Sequence, residues 1–204
     1  MSANVSRNRI PIFPLHTVLF PGGPLPLRVF EPRYTDMISQ CLKSGHGFGV
    51  CLIREGDETG SATKTQTHEI GTVAQIEDWH MRREDGLLGI EVIGDKKIIT
   101  RNLNIESNKL LTAEVEYLPD EPLLEVPPEY MNLVDLLEER LSQLGKRYVK
   151  TELKFQDASW VGYRLAEVLP LRLSQKQYFL QLEEPMQRLE HLSDVLQHLD
   201  MTIS

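Results

Sequence analysis

Cysteine is scarce in this sequence, which limits how the fold can be stabilised. The 204 residues include two cysteines, Cys41 and Cys51, with nine residues between them. That spacing matches no usual zinc motif, and one pair does not make the disulfide framework of a small secreted protein. A chain of this length buries roughly 70% of its unfolded surface, so a hydrophobic core is sufficient. We therefore expect two free thiols in a reducing compartment.

Long apolar runs and an excess of positive charge are also missing. No stretch approaches the ~20 apolar residues that span a membrane, and the first residues lack the apolar core of a signal peptide. The formal net charge is −8, from 22 Lys and Arg against 30 Asp and Glu. Nucleic-acid binding needs concentrated cationic side chains, so nucleic acid is disfavoured as a partner. These features predict a cytoplasmic protein that is not bound to a membrane.

The motifs that mark common active sites are absent from the sequence. It contains no GxxxxGK[ST], GxGxxG, HExxH or GxSxG, so we expect no catalytic residue, bound metal or cofactor. His191 and His198 could share one face of a helix, but a zinc site would need further ligands. Spacing alone does not exclude a Ser–Lys dyad, because such pairs are assembled in space.

The first part of the chain carries β-strand patterns. Five prolines between residues 9 and 30 restrict that segment to short strands, near Ile10–Phe13 and Leu25–Phe30, joined by a tight turn. A helix is predicted from Pro32 to Gly45, followed by a strand at 48–54 and a polar loop at 55–67. Alternating apolar residues from 68 to 118, with turns at Gly86 and Gly94-Asp95, indicate consecutive antiparallel strands that form a barrel.

Four prolines at 119–128 mark a boundary, and helical periodicity follows it. Four helices are predicted: at 131–144, at about 157–168, from Ser174 and from Pro185. Asp157 is the expected N-cap of the second helix, and a capping box between Ser174 and Gln177 is expected at the start of the third. The predicted fold is therefore α+β, with an antiparallel β-barrel at 1–122 and a helical bundle at 123–204 packed on it as one unit.

Short motifs spread in order over about residues 9–200 resemble the amino-terminal domain of Lon-type proteases. Each motif is weak alone, but the ordered set is specific. The motifs are Pro14-Leu15, Phe20-Pro21-Gly22, Pro26-Leu27-Arg28-Val29-Phe30-Glu31, Pro32-Arg33-Tyr34, Gly71-Thr72-Val73-Ala74-Gln75-Ile76, Leu88-Gly89-Ile90-Glu91-Val92-Ile93-Gly94, Ala113-Glu114-Val115, Leu165-Ala166, Lys176-Gln177 and Arg188-Leu189.

The resemblance implies a PUA-like barrel followed by helices, and a role in recognising and holding protein substrates. The ATPase and Ser–Lys peptidase domains of Lon proteases are not expected here, so the chain is interpreted as a non-catalytic protein- or peptide-binding module in protein quality control. Its partners would be unfolded or partner proteins, held in an apolar groove between barrel and bundle or at a sheet edge. Two alternatives stay open: an RNA-binding PUA-like domain, and an enzyme with His16 or His80 beside a carboxylate in a pocket.

Three residues are candidates for contacting a partner: Arg33, Trp79 and Trp160. Tryptophan and arginine dominate many binding interfaces. Each candidate also has a structural interpretation. The two tryptophans are large enough to favour core positions, and Arg28, Glu31 and Arg33 could pair with one another or cap the helix that starts at Pro32.

Overall fold

Strands fill the first part of the chain and helices the second. The computed structural model describes residues 8–56, 58, 65–144, 148 and 152–203, and the chain divides into two compact units, Met1–Pro119 and Asp120–Ser204. The elements of unit 1 are β1 Asn8–Leu15, β2 Pro24–Val29, α1 Pro32–Ser44, β3 Phe48–Glu55, β4 Gln66–Thr67, β5 Ile70–Met81, β6 Leu88–Ile105 and β7 Leu111–Tyr117. Most of the predicted loop at 55–67 lies outside the described residues.

The strands of unit 1 form one mixed sheet in the order β1-β7-β6-β5-β3-β4, with β2 paired to β6. All pairings but one are antiparallel. The exception is β1, which pairs parallel to β3 as well as antiparallel to β7, so the path of pairings returns to β1. The parallel pair departs from the purely antiparallel prediction. It is possible because β2 and α1 lie between β1 and β3, which makes a connection long enough for a crossover.

The predicted turn at Gly94-Asp95 is wrong, because this pair lies inside the single long strand β6. The glycine has a different purpose there. A Cβ at Gly94 would lie 2.1 Å from the carbonyl oxygen of Phe20, and Gly94 exchanges backbone hydrogen bonds with the turn after Phe20. Gly22 donates to the Gly94 oxygen at 2.7 Å, and Gly94 donates to the Gly23 oxygen at 2.9 Å. A glycine within a strand marks such a close backbone approach.

Helix α1 follows the sequence prediction at both ends. Pro32 occupies its first turn, and Gly45 ends it at φ 69° with its amide bonded to the Cys41 oxygen. The helix buries one face in the main core of unit 1, where it meets side chains of β1, β3 and β6. The residues of α1 in that core are Tyr34, Met37, Ile38 and Cys41.

Unit 2 is built around its second helix. Its α-helices are α2 Met131–Leu144, α3 Ala158–Val168, α4 Leu173–Gln181 and α5 Pro185–Ile203, and a 3-10 helix, Pro128–Tyr130, precedes α2. Helix α3 packs against α2, α4 and α5, and every residue from Ala158 to Ala166 is buried. Asp157 caps α3 as predicted, since its carboxylate accepts a hydrogen bond from the Ser159 amide at 3.0 Å.

The predicted capping box of α4 is wrong in register. The N-cap is Arg172, and the Gln175 side chain accepts a hydrogen bond from the Arg172 amide at 3.1 Å. Ser174 therefore lies inside the helix, and Gln177 lies buried. An arginine N-cap has no side-chain acceptor to offer, so the sequence pattern for a capping box did not identify it.

A buried ion pair ties the start of unit 2 to its last helix. Glu121 accepts two hydrogen bonds from the Arg188 guanidinium, at 2.8 and 2.6 Å, and further ones from the Ser159 and Tyr163 hydroxyls. Arg188 also donates to backbone carbonyls and lies 3.9 Å from the centroid of the Tyr163 ring. Burial is the main cause that raises the pKa of Tyr163, which therefore stays a neutral donor to Glu121.

Candidate functional site

An apolar cleft opens on unit 1 where β1, β2 and α1 meet. Its volume is about 290 Å³, slightly below the range of pockets that enclose whole small ligands and closer to the size of one or two side chains. We call it the apolar cleft. It is lined by Phe13, Leu15, Pro26, Leu27, Arg28, Phe30, Glu31, Tyr34 and Glu58.

The floor of the apolar cleft is an aromatic stack. The rings of Phe13 and Tyr34 lie parallel with centroids 4.0 Å apart, and both side chains are buried. Burial raises the pKa of Tyr34 to about 12, while Arg33 acts in the opposite direction. The phenol is thus neutral at physiological pH, so the floor offers an uncharged aromatic surface.

Arg33, one of the predicted contact residues, is held beside the cleft by contacts within unit 1. Its guanidinium lies over the Tyr34 ring at 4.6 Å, pairs with Glu31 at 2.8 Å and donates to the Lys109 oxygen at 2.9 Å. The side chain is buried. Pairing of Arg33 with Glu31, offered as the structural interpretation, is confirmed. Capping of α1 by the Glu31 side chain is not confirmed. Glu31 occupies the N-cap position, but its side chain makes no capping hydrogen bond.

Large apolar side chains remain exposed beside the apolar cleft. Phe30 is 56% exposed at its mouth, and Trp79 and Met81 are 54% and 59% exposed near the end of β5. Strand register aligns Trp79 with Ile90 and Ile90 with Leu27. These three therefore point to the same side of the sheet, and Trp79 lies two strand spacings, roughly 10 Å, from the cleft residue Leu27. Exposed apolar groups collected in this way mark interaction surfaces.

The two tryptophans have opposite environments. Trp160 is buried in α3 and contacts Phe155 edge to face at 5.3 Å, so its core interpretation is confirmed. The core interpretation of Trp79 is wrong. Residues 77–81 at the end of β5 are all exposed, because this end of the strand continues past the packed core. Sequence reasoning missed Phe30 and Tyr34 as site residues, although both lie in the motifs of the amino-terminal segment.

His16 and His80 are the histidines that the enzyme alternative names. The backbone amide of His16 donates to Glu58, and the ring of His80 lies against Gly89. In unit 2, the Tyr178 hydroxyl and His191 Nδ1 are 2.7 Å apart in an open groove of about 480 Å³. Within the described residues, no three His, Cys, Asp or Glu side chains are grouped as metal ligands. The side chain of His198 lies outside the described part.

Comparison with known families finds a match along almost the whole chain. The model of the ATP-dependent protease La (LON) substrate-binding domain matches residues 9–198. No helix in the described part of the chain is long and apolar enough to cross a membrane.

Two curated relatives share part of their sequence with the chain. The Lon protease of Orientia tsutsugamushi is 26% identical over 205 residues, which cover 94% of this chain and 25% of that protein. Protein cereblon of Danio rerio is 27% identical over 118 residues, which cover 56% of this chain and 26% of cereblon. The chain thus spans about a quarter of the length of the curated relatives it matches.

Solved structures show the same fold. A Lon N-terminal domain protein from Xanthomonas campestris is 35% identical, with a TM-score of 0.76 over 92% of this chain and 98% of that one. The N-terminal domain of the Mycobacterium avium complex Lon protease is 21% identical, with a TM-score of 0.61 over 92% and 97% of the two chains. At that lower identity the second likeness concerns the fold alone.

Proposed function

The chain belongs to the LON substrate-binding domain family, and on that premise we propose that it binds segments of other proteins as a non-catalytic module, with the apolar cleft as the site that holds them. The observation that carries this proposal is the exposure of Phe30 and Trp79 beside a preformed aromatic floor. Exposed aromatic side chains around a pocket are typical of the anchoring centre of protein interfaces.

The size and chemistry of the cleft support a peptide more than a small polar metabolite. Its floor is apolar, and Arg28, Glu31 and Glu58 supply the charged groups of its lining. The Glu31 carboxylate is already paired with Arg33 at 2.8 Å. One large side chain of an unfolded segment would fill the cleft, and neighbouring apolar side chains would contact Trp79 and Met81. Such segments are exposed in unfolded proteins, so a role in protein quality control is part of the proposal.

The finer architecture and the location in the cell belong to the proposal as well. The return of the pairing path to β1 supports a small PUA-like barrel, and the packing of α3 against three helices supports a bundle. Cys41 and Cys51 are buried and free, as is usual for proteins of a reducing cytoplasm.

Binding of labelled peptides by the whole chain tests this function. The probe is a fluorescein-labelled decapeptide of serine and alanine with phenylalanine at two alternate positions, measured by fluorescence anisotropy. Phe30→Ala and Trp79→Ala should each weaken binding about tenfold or more, because truncation of an aromatic hot spot costs about 2 kcal/mol.

Leu123→Ala is the matched control, since Leu123 is a highly exposed apolar residue of unit 2. This variant should bind as the parent chain does. Equal affinity of all three variants would show that the peptide binds elsewhere, and no binding by the parent chain would contradict the proposed function itself.

A further inference from the structure

The end of β5 is an exposed sheet edge in unit 1. β3 pairs with β5 only through residues 72–74, whereas residues 77–81 are all exposed and residues 78–81 pair with β6 on one side. No described strand pairs with their other side. An edge strand of this kind presents backbone donors and acceptors to which a further strand can be added.

The phase of the β5–β6 pairing shows which backbone groups face outward. The Arg82 amide donates to the Leu87 oxygen at 2.9 Å, so Arg82 faces β6. Backbone groups of an antiparallel strand alternate in direction, so those of Trp79 and Met81 are directed to the outer edge. The Trp79 amide agrees with this phase, because it donates to the Asp78 side chain at 2.8 Å. Such an exposed bond can be exchanged for one to an added strand.

The sequence of this edge is complementary to itself in charge. Residues 77–83 read EDWHMRR, so two acidic residues precede the tryptophan and two basic residues follow the methionine. An antiparallel second copy related by a two-fold axis at His80 would bring opposite charges together and would align the outward backbone groups of the two copies. The opposed residues would be Trp79 with Met81, Asp78 with Arg82, and Glu77 with Arg83.

Two features of β5 shape such a contact. A Cβ at Gly89 would lie 2.7 Å from His80 Nε2, so the His80 ring is turned over its own sheet and not across the axis. The register shift between Ile76 and Asp78 marks a bulge that ends the regular edge near Glu77. The added ladder would therefore span residues 78–82, which makes the contact short.

The charged residues of this edge differ in how far their charges are already engaged. Arg82 is bonded to Glu84 and Asp85 within its own copy, at 2.6 and 3.1 Å. Glu77 and Arg83 are exposed. The ion pair that joins Glu77 to Arg83 of the second copy therefore contributes most of the charge attraction, and it occurs twice across the axis.

We propose that two copies of this chain associate through the end of β5 and form one continuous sheet across a two-fold axis at His80. A second copy is the fitting occupant of the edge, because it carries both charges in the reverse order that an antiparallel neighbour requires. Residues opposed across an antiparallel ladder share a face of the sheet. Both apolar clefts therefore lie on the same side of the dimer, with their β2 strands five strand spacings, roughly 25 Å, apart. The inference goes beyond the proposed function and does not depend on it.

Sedimentation velocity of the full chain at increasing concentration tests the proposal. The parent chain should form a dimer with a Kd on the order of 10–100 µM, since so short a contact leaves little free energy beyond the cost of association. Glu77→Arg and Arg83→Glu should each weaken the dimer about tenfold, because each places like charges opposite each other at two symmetry-related positions.

Mixing these two variants identifies the register. The Glu77→Arg variant carries arginine at both positions and the Arg83→Glu variant carries glutamate at both, so an equimolar mixture should regain the affinity of the parent chain as a heterodimer. Glu69→Arg is the matched control, since it breaks an exposed ion pair with Arg101 elsewhere in unit 1, and it should dimerise as the parent chain does. Met81→Pro removes an outward N–H without taking one from the pairing with β6, and it should weaken the dimer about tenfold or more.

Three results would overturn the inference. The first is a parent chain that stays monomeric up to about 500 µM. The second is a mixture that associates no better than its two components, since the charges would then not oppose each other. The third is an unchanged dimer in the Met81→Pro variant, since the backbone edge would then not be paired. Binding of the peptide probe is a separate measurement: a dimer that binds no probe leaves the inference intact, and a monomer that binds it overturns the inference alone.

Discussion

Removal of the Glu121 carboxylate should destabilise unit 2 far more than removal of a comparable surface carboxylate. The side chains of Glu121 and Arg188 are 7% and 0% exposed, and their closest atoms are 2.6 Å apart. Glu121→Ala leaves a buried guanidinium without its carboxylate. Two hydroxyl groups, those of Ser159 and Tyr163, lose an acceptor at the same time.

The size of the effect follows from burial and not from the ion-pair distance. Breaking a buried ion pair by removing one partner costs about 3–5 kcal/mol, because the remaining charge has lost its compensation. Lys154 and Glu152 form an ion pair at 3.2 Å in the same unit, but their side chains are 49% and 80% exposed. Water solvates such groups, so Glu152→Ala should cost about 0–1 kcal/mol.

Urea denaturation of the full chain measures both variants. Trp160 lies in α3 of unit 2, so its fluorescence in a Trp79→Phe background reports the unfolding of that unit. Circular dichroism of the helices provides an independent signal. If Glu121→Ala lowers the free energy of unfolding by no more than Glu152→Ala does, then the pair contributes no more than a surface contact and the reasoning from burial is refuted.

Three further predictions concern unit 1. Gly94→Ala should lower the free energy of unfolding in urea by about 2–4 kcal/mol, because its Cβ would lie 2.1 Å from the Phe20 oxygen and displace the turn. Gly86→Ala, where φ is 69° but space is open, should lower it by only about 1–2 kcal/mol. Equal losses in the two variants would contradict the argument. The Tyr34 pKa of about 12 lies above the ordinary value of 10.0. The neutral phenol therefore contributes its full stabilisation below pH 10, and the free energy of unfolding should fall by roughly 3 kcal/mol as the pH rises to about 12. Tyr34→Phe should remove that part of the alkaline loss, and an unchanged pH profile would contradict the assignment. Fragment 1–122 expressed alone should aggregate or bind hydrophobic dye, because its strands contain near-continuous apolar runs. A soluble fragment that melts cooperatively would show that residues 1–122 fold independently of residues 123–204.

The ends of several elements could be predicted from the sequence because local chemistry determines them. Proline in the first turn and glycine at the end of α1 act through their own backbone conformations, and the Asp157 side chain reaches an amide two residues away. Such signals depend on a few neighbouring residues. The predicted capping box of α4 was wrong because the N-cap residue, Arg172, is not a usual capping type. The acceptor at this end of the helix is the Gln175 side chain.

The role of Gly94 could not be predicted, because the reason for this glycine lies more than seventy positions away in the chain. Sequence alone treats a glycine followed by aspartate as a turn. The structure shows a strand that must admit the Phe20–Gly23 backbone at close range, and only the tertiary pairing of β2 with β6 brings the two segments together.

The candidate site was chosen by the solvent exposure of its aromatic side chains, and side-chain exposure was the property that the sequence predicted least well. Trp79 and Ile90 are paired across β5 and β6 and point to the same side, yet Ile90 is buried and Trp79 is exposed. Strand alternation assigns both to the same face and does not say where the packed core ends along the strand. The cleft beside them combines side chains from β1, β2 and α1, so it exists only once these elements are packed. Arg33 thus follows its structural interpretation, since it is buried and paired with Glu31, whereas Trp79 departs from the core position that its size favoured.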